Sequence, residues 1–108
     1  MIKCTFVCSK NTDLEINFKS FEVSGHAEYK KKGEDIVCAS VSSVTQHTAR
    51  ALSKDGALIN IKDGYLKVWN IKSDMISQRF VKELYESLKD LSEQYPKHIK
   101  LEVIYDAY

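Results

Sequence analysis

The chain has 108 residues, among them three cysteines and three histidines. Cys38 is the cysteine whose surroundings most favour reaction. It follows Gly33-Glu34-Asp35-Ile36-Val37, where Asp35 is a helix-capping residue type with acidic Glu34 beside it. A helix starting there puts Cys38 in the first turn. Unpaired backbone N–H groups and the positive end of the helix dipole then favour a nucleophilic thiolate. His26 stands upstream, across the lysine- and glycine-bearing segment Ser24 to Glu34. A loop of that length can fold back and set an imidazole beside the sulfur. The pair could then work together, the thiolate attacking and the histidine moving the proton. Plainer readings exist for the same residues. A lone cysteine on a helix is often a small buried hydrophobe, and a histidine after a strand is often an ordinary loop residue.

The other candidates point away from chemistry. Cys4 and Cys8 share a face of one strand but lie about 13 Å apart, too far to hold one zinc ion. His47 and His98 are scattered, and no glycine-rich phosphate loop is present, so neither metal nor cofactor is expected. Lys+Arg total 16 against 15 Asp+Glu, and only Arg50 and Arg79 are arginine, which argues against nucleic-acid binding. Tyr65 and Trp69 share a strand face and read as core or dimer contacts rather than a base-stacking platform. No apolar run reaches the roughly 18 residues of a membrane span, and Met1 to Thr5 lacks a signal-peptide layout. An odd cysteine count gives no disulfide framework, so a cytoplasmic protein is expected.

The elements that must position Cys38 and His26 can be read from periodicity. Ile2, Cys4, Phe6 and Cys8 alternate as a strand. Leu14, Ile16 and Phe18 do likewise, with Phe21 and Val23 continuing after a phase slip that predicts a bulge near Lys19-Ser20. Ser24 to Glu34 reads as an exposed, mobile loop. Asp35 to Lys54 reads as a helix with Val37, Val41, Val44, Thr48 and Ala51 inward. Ala57 to Ile61 and Tyr65 to Ile71 flank Lys62-Asp63-Gly64, a hairpin signal. Ser73 to Tyr95 is a second helix with a stripe of Ile76, Phe80, Leu84, Leu88, Leu91 and Tyr95, stopped by Pro96. His98 to Tyr105 closes as a strand. The expected architecture is α+β in one domain, residues 1–108. It is a two-layer fold, a mostly antiparallel five-stranded sheet with two helices on one face, in the order β-β-α-β-β-α-β.

The run Phe21-Glu22-Val23-Ser24-Gly25-His26-Ala27, followed by Gly33-Glu34-Asp35-Ile36-Val37-Cys38-Ala39-Ser40-Val41-Ser42, resembles the ribosomal-processing cysteine protease family Prp. The resemblance implies a small α+β homodimer that acts by a Cys/His dyad. Its peptide substrate would be the N-terminal extension of large-subunit ribosomal protein L-twenty-seven, whose removal supports ribosome assembly. Carried onto this chain, the nucleophile is Cys38 and the general base and acid is His26. Gly25, Asp35 and Ser42 also match motif positions. Asp35 either caps the helix or orients His26. Gly25 either lets a substrate backbone approach or adopts φ > 0, or it is a plain strand-end turn. Ser42, one turn after Cys38, either bonds near the sulfur or bonds back to a helix carbonyl. Backbone N–H groups at the helix start are the simplest oxyanion donors. The loop Ala27 to Glu34 is either a lid that orders on peptide binding or a solvated charge run. The main alternative function is a non-catalytic ribosome-associated module of the same fold. A thiol redox sensor is weaker, because Cys38 has no resolving cysteine nearby.

Overall fold

A computed structural model of the chain describes residues 1–10, 16–31 and 34–106. In chain order the elements are β1 (Ile2–Lys10), β2 (Ile16–Gly25), α1 (Ile36–Ser53), β3 (Leu58–Lys62), β4 (Tyr65–Trp69), α2 (Met75–Gln94) and β5 (Ile99–Tyr105). The five strands form one sheet in the order β3-β4-β2-β1-β5. Three pairings are antiparallel and β1 with β5 is parallel, so the expected mostly antiparallel α+β sheet is the one observed. The two helices pack on each other and on the inward residues of the sheet.

The phase slip in β2 is a bulge at Lys19. Val7 pairs with Ser20 and Cys8 with Phe18, so Lys19 is the extra residue. Without it Phe18 and Phe21 would face opposite sides. With it both are buried, and both rings lie within 6 Å of Phe6, at 5.8 and 5.6 Å between centroids. Tyr85 of α2 closes the cluster with its ring 5.4 Å from that of Phe6. At the bulge the Gln78 side chain serves as a short extra strand: its Oε1 accepts from Phe18 N at 2.7 Å and its Nε2 donates to Phe18 O at 2.9 Å.

Several expected inward positions differ. The buried line of α2 is Ser77, Val81, Leu84 and Leu88, whereas Ile76 is 65% exposed. Asp74 caps this helix through Ser77 N at 2.7 Å, and that start turns residue 77 rather than 76 toward the sheet. In α1 the residues Thr45, Ala49 and Leu52 are buried, while Val44 and Ala51 are only half-buried. Thr45 tolerates burial because its hydroxyl donates to Val41 O at 2.8 Å. Ile16, expected inward, is half exposed at the sheet end opposite Lys10, and Leu14 lies outside the described residues. The hairpin β3–β4 is shorter than expected, because Asn70 takes φ 58 and ends β4 before Ile71. Trp69 is exposed and Tyr65 half-buried, on the sheet face away from the core.

Phe6 touches three aromatic neighbours and is fully buried. Phe6→Ala is expected to lower unfolding free energy by about 3–5 kcal/mol, read from the urea midpoint at unchanged slope.

Candidate active site

β2 ends at Gly25, which takes φ +93 and pairs with Ile2. A β-carbon there would collide with the carbonyl oxygen of Met1, so both space and dihedral require glycine. The Gly25 N–H donates to Gly64 O at 2.9 Å, tying the end of β2 to the turn of the β3–β4 hairpin. His26 follows and lies over that turn, where a β-carbon at Gly64 would sit 2.7 Å from its Nε2. Gly64 thus does two things: its φ of +68 makes the turn, and its missing side chain leaves room for the imidazole.

Ala27 then turns inward and is 1% exposed, unlike the fully exposed loop expected. Its N–H donates to Cys38 Sγ at 3.2 Å. Its carbonyl accepts from His98 Nδ1 at 2.9 Å; because a carbonyl only accepts, that nitrogen carries the proton. The Tyr29 ring packs edge-on against His98 and Tyr95, with centroids 5.3 and 5.7 Å away.

Asp35 gathers the other end of the loop. Its Oδ1 accepts from Val37 N at 3.0 Å and Cys38 N at 2.9 Å, which caps α1. Its Oδ2 accepts from Tyr29 N at 3.0 Å and Lys30 N at 3.3 Å. Of the two expected roles, capping is the one the geometry displays, and the carboxylate's observed partners are backbone groups. Burial alone would push this carboxyl up. The N–H groups of Cys38, Lys30, Tyr29 and Val37 outweigh it and hold the group below the usual aspartate value.

Cys38 is half-buried at the positive end of α1. It and His26 line one cleft of about 640 Å³ between α1 and the β3–β4 hairpin, together with Gly25, Asp35 and Ser42. All five residues singled out from the sequence therefore meet in one place. Two expectations about them change. The Ser42 hydroxyl accepts from Gln46 Nε2 at 2.7 Å and, among the described residues, bonds neither the sulfur nor a helix carbonyl. Oxyanion donors are expected among the backbone N–H groups at the helix start, and two of these, Val37 and Cys38, are held by Asp35. His98 and Gly64 were not singled out. The Asp-Gly turn was a visible signal for Gly64, while His98 reaches the loop only because β5 lies parallel to β1.

Cys4 and Cys8 are 0% exposed on the core face of β1. Burial pushes their thiols up to about 12 and about 11, respectively, so both stay protonated at neutral pH. Among the described residues no helix is long and apolar enough to cross a membrane.

The family model described as cysteine protease Prp matches residues 1–100. No curated protein matches the chain. Among solved structures, SMU.848 from Streptococcus mutans is 27% identical with TM-score 0.77, covering 98% of this chain and 96% of that one. The essential ribosomal processing protease Prp from S. aureus, in complex with a covalently linked product peptide, is 25% identical with TM-score 0.79, covering 95% and 99%. The same protease with a substrate peptide shares the fold at 24% identity and TM-score 0.74, again covering 95% and 99%.

Two measurements follow from this geometry. Iodoacetamide at pH about 7.5 is expected to label the native protein once, at Cys38, with Cys4 and Cys8 reacting only after denaturation; mass spectrometry of the digest reads the sites. Asp35→Ala is expected to lose about 1 kcal/mol of stability with the cap. Because the folded Asp35 carboxyl lies below its unfolded value, its charge stabilises above the unfolded value of about 3.9 and that contribution is lost as pH falls toward the folded one. Asp35→Asn keeps a capping side chain and should flatten the acid limb of a urea-midpoint profile. A loss of turnover in Asp35→Ala at unchanged stability would instead favour the orienting role.

Proposed function

This chain belongs to the Prp family of cysteine proteases, and on that premise we propose that Cys38 and His26 are its catalytic dyad. The observation that carries the reading is that both side chains line one cleft, with Ala27 donating to the sulfur directly beside His26. In the first step His26 takes the Cys38 proton and Sγ attacks the scissile carbonyl carbon. The tetrahedral intermediate collapses as His26 gives the proton to the leaving amine, leaving an acyl thioester on Cys38. Water then attacks the thioester with His26 as base, and the C–S bond breaks to return the thiol.

Asp35 acts in this scheme as a positioning residue, holding the helix start that carries Cys38 and the loop that follows His26. Gly25 gives His26 its direction by turning the chain at positive φ. Ser42 borders the cleft one turn beyond the nucleophile. Since Asp35 holds the N–H groups of Val37 and Cys38, oxyanion stabilisation falls to other donors facing the cleft or to a shift of the cap during reaction.

The substrate we assign is the N-terminal extension of large-subunit ribosomal protein L-twenty-seven, taken as an extended peptide. Residues 1–108 act as one catalytic domain, in the cytoplasm and as a homodimer, in support of ribosome assembly. The relatives favour this, since the S. aureus protease at 25% identity is a ribosomal processing enzyme with a covalently linked product peptide.

The extended ribosomal protein of the same host, incubated with this protein, is expected to lose a single N-terminal fragment by mass spectrometry. Cys38→Ala and His26→Ala should each lower the rate by at least about a thousandfold while unfolding like the wild type. Full cleavage by either variant removes that residue from the dyad, and no cleavage by the folded wild type moves the protein to the non-catalytic reading.

A further inference from the structure

The cleft around Cys38 does not end at the dyad. Residues Cys38, Ser42 and Gln46 recur every fourth position along α1 and line it; Gln46 also lines a second hollow of about 590 Å³ with Arg50, His47 and Ser43. Ile61 of β3 borders both hollows as well. The two hollows adjoin at Gln46 and Ile61, with the α1 ladder on one wall and β3 on the other. From Cys38 to Arg50 that ladder runs about 18 Å at 1.5 Å per residue, enough for five or six residues of extended chain at about 3.3 Å each.

Among the described residues β3 is an edge strand, and its outward backbone has a definite phase. The bond from Gly25 N–H to Gly64 O directs Gly64 toward β2, so Tyr65, Lys67 and Trp69 direct their backbone groups toward β3. Their partners are Lys62, Asn60 and Leu58. Ile59 and Ile61 therefore turn their N–H and C=O groups outward. Their side chains share the core face with their buried partners Val68 and Leu66, yet Ile61 is 55% exposed and lines the cleft. An apolar side chain on the helix-covered face, uncovered beside a nucleophile and an unpaired strand edge, is a surface suited to an extended peptide.

We propose that the substrate backbone adds to β3 as a sixth strand, pairing with Ile59 and Ile61, and runs along the α1 ladder from Cys38 toward Arg50. This rests on the protease reading above and specifies how that site holds its peptide. No carboxylate lines the second hollow among the described residues. Gln46, Arg50 and Ser43 are donors that suit peptide carbonyls, so recognition along this stretch is of the main chain. A second copy of the chain is the other possible occupant of a free edge. The continuity of the groove with the Cys38 cleft favours the peptide, because a copy seated there would close the entrance.

The test uses a fluorescent peptide spanning the cut bond of the extended ribosomal protein, with about six residues on either side to fill the groove. Single backbone N-methyl groups are walked along it. Binding to Cys38→Ala is read by anisotropy, and cleavage by the wild type is read in parallel. Pairing predicts that, on one side of the cut, alternate methyl groups weaken binding about five- to tenfold while those between are tolerated. Tight binding with uniform tolerance on both sides overturns the strand-addition proposal and leaves the protease reading standing. Uniform tolerance with the outward Ile59 and Ile61 amides protected from hydrogen exchange in the free protein assigns the edge to a second copy and overturns it too. Neither binding nor cleavage overturns both readings.

Discussion

The Asp35 carboxylate is the interaction on which the site depends. It accepts from backbone N–H groups on both sides of the gap between loop and helix, two from the Tyr29–Lys30 segment and two from the first turn of α1. An N-cap alone would fix where the helix begins. By also holding the loop, this one makes the position of Cys38 and the return path of the chain after His26 a single geometric fact. The same bonds hold the carboxyl ionised, so the joint is charge-assisted and stronger than a neutral cap.

Ala27 completes the arrangement through its two backbone groups. The N–H faces the Cys38 sulfur and the carbonyl faces His98, so a buried alanine joins Cys38 to the segment that leads into β5. The sheet makes this possible. Ile2 pairs with Gly25 on one side and Ile99 on the other, bringing the end of β2 and the start of β5 to the same end of β1. The Lys19 bulge lies toward the opposite end, where it lets Phe18 and Phe21 pack on one side, so the core and the site occupy separate stretches of the same two strands. The thiols divide the same way. Cys4 and Cys8 lie in that core with raised pKa values, while Cys38 stands half-exposed at a helix start.

Much of this was legible in the chain. Alternation in β1, the phase slip at Lys19, the cap type at Asp35 and the Asp63-Gly64 turn are local signals. Each depends on residues within one element or one turn, and each reappears in the fold. The errors are local rotations or lost ends. Apolar spacing places Ile76 in the α2 stripe because it cannot say which residue starts the first turn; the Asp74 cap decides that. Val44 was preferred to Thr45 because hydropathy does not register a hydroxyl satisfied by its own helix carbonyl.

The sequence by itself determined which residues could react, the order of the elements and the α+β class, because side-chain chemistry and hydrophobic period are carried by neighbours along the chain. Only the tertiary structure decided that His98 supports the loop, that Gly64 makes room for His26, that Ser42 accepts from Gln46, and that Asp35 already holds the N–H groups of Val37 and Cys38. It alone also showed that β3 is an edge whose outward groups border the cleft. Those facts depend on strand order and on which backbone groups remain after neighbours have bonded. No spacing within the chain records either, because both are set by residues that meet only when the sheet closes.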